Sequence, residues 1–257
     1  MYSIDLSGKN GVIVGVANDR SIAWGIASIL AEAGARLALT YQNDRVKDRV
    51  TKLADTLDGA ITMSCDATED AQVEDVFKQV GDSFGEISFL VHSIAFANKE
   101  DLTGSFSDTS REGFRIALEV SAFTLLPLVH HAAKLMPSGG SVVTMTFDAS
   151  QRVYPGYNIM GTAKAALEHE VRQLAAEHGG QNIRVNAISA GPLDTLSSRG
   201  IGGFQDMKRQ HSATAQLGRN ISMDEVSKTA LFLCSDLSSG ITGSVIPVDA
   251  GYHIMAV

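Results

Sequence analysis

Cysteine is nearly absent from the chain: Cys65 and Cys234 are the only two in 257 residues. Each lies in an apolar or β-like stretch, so a disulfide framework is excluded as the basis of the fold, and buried thiols in a reducing compartment are expected. No block of Lys or Arg occurs, and 21 basic against 29 acidic residues leave a net charge of −8. Nucleic acid and anionic membrane surfaces are therefore poor partners. No uninterrupted apolar run of about 18 residues is present, and MYSIDLSGKN lacks the basic and apolar regions of a leader. A cytoplasmic protein with no membrane partner is expected. There is no G-x-S-x-G elbow and no H-E-x-x-H pair. His130, His131, His169 and His178 show no ligand spacing, so neither a serine hydrolase nor a metal site is expected.

What the chain does have is alternation. Gly11–Val16 (GVIVGV) is a short β-rich run of the kind buried on both faces. A polar turn follows, and then SIAWGIASILAEAG, with Ser21 as N-cap and Gly34 as stop. Further strands are expected at 35–41, 60–65 and 87–93, from Ser141 onward, and at 183–188 and 244–248. Helices are expected at 44–57, 69–84, 110–135, after Pro155, and at 222–234. The pattern specifies an α/β fold: one Rossmann-like, doubly wound parallel sheet of about seven strands with helices on both faces. No linker, repeat or composition shift divides it, so residues 1–257 are read as one dinucleotide-binding domain. Residues 191–220, interrupted by Gly200, Gly202 and Gly203, read as a long irregular connection and a candidate substrate lid.

In such sheets the ligand crevice lies at the carboxyl ends of the strands, and the first βα turn presents a helix N-terminus to phosphate. Gly15 and Ser21 occupy that turn, although the spacing is not G-x-G-x-x-G. At the end of the second strand, Gln42 suits a ribose hydroxyl and nearby Arg45 suits a 2′-phosphate. NADH is favoured over NADPH on this reading. The tips Cys65-Asp66-Ala67 and His92-Ser93-Ile94-Ala95 would border the adenine and the nicotinamide ribose.

The stretch Ser141–Leu174 (SVVTMTFDASQRVYPGYNIMGTAKAALEHEVRQL) runs from strand through loop to a long helix. Tyr157 and Lys164 are seven residues apart, nearly two helical turns, and project from roughly the same face. A phenol and an ammonium converging on one small molecule suggest chemistry.

Together with the Gly15 turn, these residues give the chain a resemblance to the short-chain dehydrogenase/reductase superfamily. More closely, it resembles the divergent branch of enoyl-acyl-carrier-protein reductases. The carriers are the run from Gly15 to Gly25, TYQND from Thr40, LVHSIAFA from Leu90, YNIMGTAKAALE from Tyr157, RVNAISAGPLDTL from Arg184 and ITGSVIPVDAGYHIM from Ile241. Ordinary superfamily members space Tyr and Lys four apart, whereas here position 161 is Gly and the lysine comes at 164.

The resemblance implies reduction of the 2,3 double bond of a trans-2-enoyl thioester on acyl carrier protein by NADH, in a homotetramer. It implies Tyr157 as phenol donor and Lys164 as its catalytic partner. It places Gly15, Ser21, Ile22, Gln42, Asp66, Ala67, Ile94, Lys164, Leu193, Asp194, Thr195, Leu196 and Ser197 on the dinucleotide. Ala97, Phe147, Tyr157 and Met160 fall on the substrate side. Phe147 stands where many relatives carry a second tyrosine, and Asp194 where relatives often carry arginine. A carbonyl reductase of the same superfamily and a non-catalytic dinucleotide sensor are the competing readings.

Overall fold

The computed structural model describes residues 4–196, 198 and 201–256. Seven strands form a single parallel sheet in the order β3-β2-β1-β4-β5-β6-β7. They are β1 (Asn10–Val14), β2 (Arg36–Tyr41), β3 (Ile61–Ser64), β4 (Phe89–His92), β5 (Gly140–Thr146), β6 (Ile183–Ala190) and β7 (Val245–Val248). The nine α-helices among the described residues are α1 (Ile22–Glu32), α2 (Asp44–Ala54), α3 (Asp70–Phe84), α4 (Lys99–Leu102), α5 (Arg111–Leu118), α6 (Leu125–Lys134), α7 (Asn158–His178), α8 (Phe204–Thr214) and α9 (Met223–Cys234). The expected strands and principal helices are present, with ends that differ by a few residues.

Local chemistry sets several of the boundaries. Asn43 accepts from the Arg45 amide to open α2. Ser110 Oγ accepts from the Gly113 amide, 2.8 Å away, to open α5. Ser222 and Glu225 form a reciprocal capping box on α9. Arg219 grips the same glutamate at 2.7 Å, which holds the Glu225 carboxyl down to about 2.

Strand residues alternate between two cores, as the period of two requires. Ile13, Leu39, Val91 and Val143 pack with Ile26 and Leu30 of α1 and Leu233 of α9. Val12, Val14, Leu90 and Val142 face the other way, onto Val76 of α3, Leu128 of α6 and Leu167 and Val171 of α7. Each fully buried aliphatic side chain of this size contributes on the order of 1.5–3 kcal/mol. Both faces of the sheet are therefore covered, and its functional surface is the edge where the strands end.

The helix expected at 110–135 is present: residues Arg111–Lys134 are continuous, and their most apolar window has a mean hydropathy of 1.4, long and apolar enough to match a membrane span. Charged residues such as Arg115 and Glu119 interrupt the apolar run. Leu125, Leu128, Val129 and Ala132 of this helix are fully buried in the core of the protein. Midway it contains a π-helical turn, Glu119–Phe123, closed by the Thr124 amide on the Glu119 carbonyl at 3.2 Å.

The reading of residues 191–220 is corrected. They are not irregular throughout, because α8 occupies their middle. The glycines at 202 and 203 precede the helix and do not interrupt it. Phe204, Met207 and His211, three and four residues apart, give α8 its inward face, with Phe204 and His211 buried.

Candidate active site

Beyond the tips of β1 and β4, on either side of the point where strand order reverses, lies a cleft of about 660 Å³. Gly15 leaves β1 with φ +98°, and a Cβ there would lie 2.3 Å from the Ser93 carbonyl oxygen. Only glycine fits both the backbone angle and the approach. The turn then passes through Asn18, whose side chain accepts from the Arg20 amide at 2.8 Å and whose carbonyl accepts from Ser21 Oγ at 2.7 Å. This aims the first turn of α1, with its unsatisfied N–H groups, into the cleft beside Ser21 and Ile22.

At the other end, β5 delivers Met145, Thr146 and Phe147, and α7 delivers Tyr157, Met160 and Lys164. Tyr157 is the residue immediately before α7. Its ring meets Phe147 edge-on at 5.1 Å between centroids. Burial pushes the phenol pKa upward, so it remains a neutral hydrogen-bond donor. Lys164 is buried and donates to the Met145 carbonyl at 2.8 Å. Burial lowers its pKa to about 8, against the opposing pull of Glu168. At neutral pH it is still mostly an ammonium.

The seven-residue spacing has a steric cause at position 161. A Cβ on Gly161 would sit 2.7 Å from the Ala149 carbonyl oxygen, because α7 packs directly on the turn at Asp148–Ser150. A lysine cannot stand there, and the next inward position that reaches the cleft is 164.

Behind the cleft lining, the buried polar groups at His92 and Ser121 are neutral. His92 is fully buried between Thr144 Oγ1 at 2.8 Å and Thr124 Oγ1 at 3.0 Å, and burial lowers its pKa to about 3. Ser121, placed by the π turn, accepts from the Phe96 amide at 2.9 Å and donates to the Phe96 carbonyl at 3.0 Å. Sequence reasoning assigned no role to Ser121, Thr124, Thr144, Thr146 or Glu168. Their signal is burial of a polar side chain, which one-dimensional spacing does not display.

Of the residues expected at the site, Gly15, Ser21, Ile22, Ile94, Ala97, Phe147, Tyr157, Met160, Lys164, Leu193, Thr195 and Leu196 all line the cleft. Gln42, Asp66 and Ala67 do not. They lie at the tips of β2 and β3, where Gln42 Nε2 donates to Asp66 Oδ2 at 3.4 Å, and Asp66 Oδ1 accepts from Thr68 Oγ1 at 2.7 Å. Asp194 pairs with Lys208 of α8 and borders a separate cavity shared with Arg20 and Gln205. Ser197 lies outside the described residues. Ile201, Phe204 and Met207 also line the main cleft, bringing α8 into its wall.

The donor set fits a dinucleotide: helix N–H groups and a hydroxyl for phosphate, a buried ammonium for a ribose diol, and apolar walls for a nicotinamide. A doubly wound sheet with a Tyr and a Lys at its switch point defines the class as short-chain dehydrogenase/reductase. The family model described as enoyl-(acyl carrier protein) reductase matches residues 15–253, and the chain belongs to that family.

The chain is 49% identical over 248 residues to enoyl-acyl-carrier-protein reductase (NADH) 1 of Rhizobium meliloti, spanning 96% of this chain and 91% of that one. It is 48% identical over 255 residues to the NADH enzyme FabI of Nostoc sp., covering 98% and 99%. The crystal structure of the Bacillus cereus enoyl-acyl carrier protein reductase with NADP+ and indole naphthyridinone is similar with a TM-score of 0.96 at 47% identity, covering 98% and 99%.

Proposed function

We propose that the chain reduces the 2,3 double bond of a trans-2-enoyl thioester with NADH, as a step of fatty acid synthesis. The observation that carries this is the convergence of a half-buried neutral phenol and a buried ammonium on one apolar cleft beside the α1 N-terminus. When bound, the reduced nicotinamide supplies the hydride. As negative charge develops on the thioester oxygen, the Tyr157 hydroxyl donates to it and lowers the barrier. Lys164 holds the nicotinamide ribose and adds positive potential beside that oxygen. Phe147 has no hydroxyl, so it packs against Tyr157 and fixes its ring without donating. Met160, Ala97 and Phe147 form the acyl side.

The dinucleotide's phosphates fall to Gly15, Ser21, Ile22 and the segment from Leu193 to Leu196, with Ile94 beside the nicotinamide. The adenosine end falls to Gln42, Asp66 and Ala67. Because Gln42 Nε2 is turned to Asp66, that end offers an acceptor beside a carboxylate, which supports NADH over NADPH. In this reading residues 1–257 act as one reductase domain and 191–220 as its substrate-binding wall.

The acyl group is carried on acyl carrier protein, and the enzyme is a cytoplasmic homotetramer. Two buried, unpaired thiols support the compartment, and exposed Phe106, Phe114 and Phe123 around the long helix support burial between subunits. The test is loss of NADH absorbance with crotonyl thioester and none with acetoacetyl thioester. Tyr157→Phe is expected to lower turnover by about 10²–10³ with NADH affinity retained. Turnover of acetoacetyl thioester alone would make it a carbonyl reductase, and turnover of neither a sensor.

A further inference from the structure

Two successive residues of β5 tie two successive turns of α7. Lys164 Nζ donates to the Met145 carbonyl at 2.8 Å, and one turn further on Glu168 Oε1 accepts from Thr146 Oγ1, also at 2.8 Å. Lys164, Glu168 and Thr146 are each 4% exposed. A carboxylate held this far from water is costly unless it is bonded and has a charge to answer.

The groups facing Lys164 can be taken in turn. From β4 comes His92, neutral between two threonine hydroxyls. From the start of α7 comes Tyr157, a neutral phenol. From β5 come a carbonyl and a hydroxyl. Glu168 is the charged group that acts on the lysine.

We infer that Glu168 is a positioning residue of this reductase: clamped by Thr146, it is the buried counter-charge that keeps Lys164 an ammonium and keeps it aimed at the cleft. It touches neither dinucleotide nor substrate and acts through the lysine. The inference rests on the reading of Lys164 as the ribose-holding cation.

The sign follows from burial. Desolvation pulls the lysine down to about 8, and the carboxylate opposes that pull. Glu168→Gln keeps an acceptor for Thr146 and removes the charge, so Lys164 loses its proton at lower pH. The alkaline limb of the kcat/KM profile for NADH, which reports the free enzyme, is expected to move down by about one pH unit. NADH affinity, followed by fluorescence, is expected to fall along the same shifted limb. Thr146→Val leaves the carboxylate without its hydroxyl partner and free to turn away from the lysine. It is expected to move the limb in the same direction by less, with Thr146→Ser restoring it.

A merely structural role lowers activity at every pH and leaves the limb in place. An unmoved limb in Glu168→Gln, or in Thr146→Val should the first variant not fold, overturns the proposal. Lys164→Ala separates the two readings. If it leaves NADH affinity intact, the role of the lysine is wrong; if affinity falls while the limb of Glu168→Gln stays put, only the role of the glutamate is wrong.

Discussion

The two walls of the cleft are built on opposite plans. The Gly15–Ser21 turn is fixed by contacts within a few residues and by one carbonyl of the adjacent strand. The wall made by 191–220 is fixed from a distance. Lys208 reaches Asp194. His211 stacks on Tyr252 at 4.5 Å between centroids and meets Asn220 Oδ1 at 3.1 Å. Within its first part, Thr195 and Ser198 cap one another through amide and hydroxyl at 2.9 and 3.1 Å. The difference teaches where rigidity and adaptability are placed: the wall at the start of α1 is set by backbone sterics, the wall that carries α8 by side chains that can let go.

The largest effect is expected from breaking the first wall. Gly15→Ala meets both a left-handed φ and a carbonyl 2.3 Å away, so a loss of about 3 kcal/mol or more is expected in urea unfolding, together with NADH affinity. A loss below about 1 kcal/mol would show that the turn relaxes and that the contrast drawn here is false.

The second wall should fail first in acid. Burial lowers the His211 pKa from 6.5, and its Nε2 has no partner among the described residues. The unfolded chain therefore binds a proton that the folded wall refuses. Stability is full above 6.5 and falls as the pH drops below it. His92 acts with the same sign down to about 3, but it is anchored in the central sheet. The protection factors of α8 amides, taken against the intrinsic exchange rate at each pH, are therefore expected to fall between about pH 7 and 5.5 before those of β4 do. An equal fall in both would mean that the wall is as tightly coupled as the sheet.

The smallest effect belongs to the surface tie. Asp194→Asn removes the ion pair with Lys208, and because Asp194 is largely exposed a cost below about 1 kcal/mol is expected. It should appear as faster exchange in α8 and leave the melting of the sheet unchanged.

The same contrast explains what could be read from the sequence. The strands, α1 with its Ser21 start and Gly34 stop, and the Tyr157 and Lys164 pair depend on short-range periodicity and caps, and all were legible. α8 was not, because three glycines in four positions masked the spacing of Phe204, Met207 and His211, whose partners Tyr252 and Asn220 lie far along or beyond the segment. The pairing of Glu168 with Thr146 joins residues 22 apart across two elements. No local pattern announces it. The long helix Arg111–Lys134 was legible as a helix with a face to bury, whereas its π turn leaves no local mark.

The π-helical turn at Glu119–Phe123 makes that long helix two instruments joined out of phase. A regular helix advances about 100° per residue, so one surplus residue swings everything after it round by about a quarter turn. Excising a single residue between 119 and 123 would straighten the ladder while rotating Leu125, Leu128 and Val129 off the sheet or pulling Ser121 away from Phe96. One-residue deletions here should be less tolerated than any single substitution in the same turn.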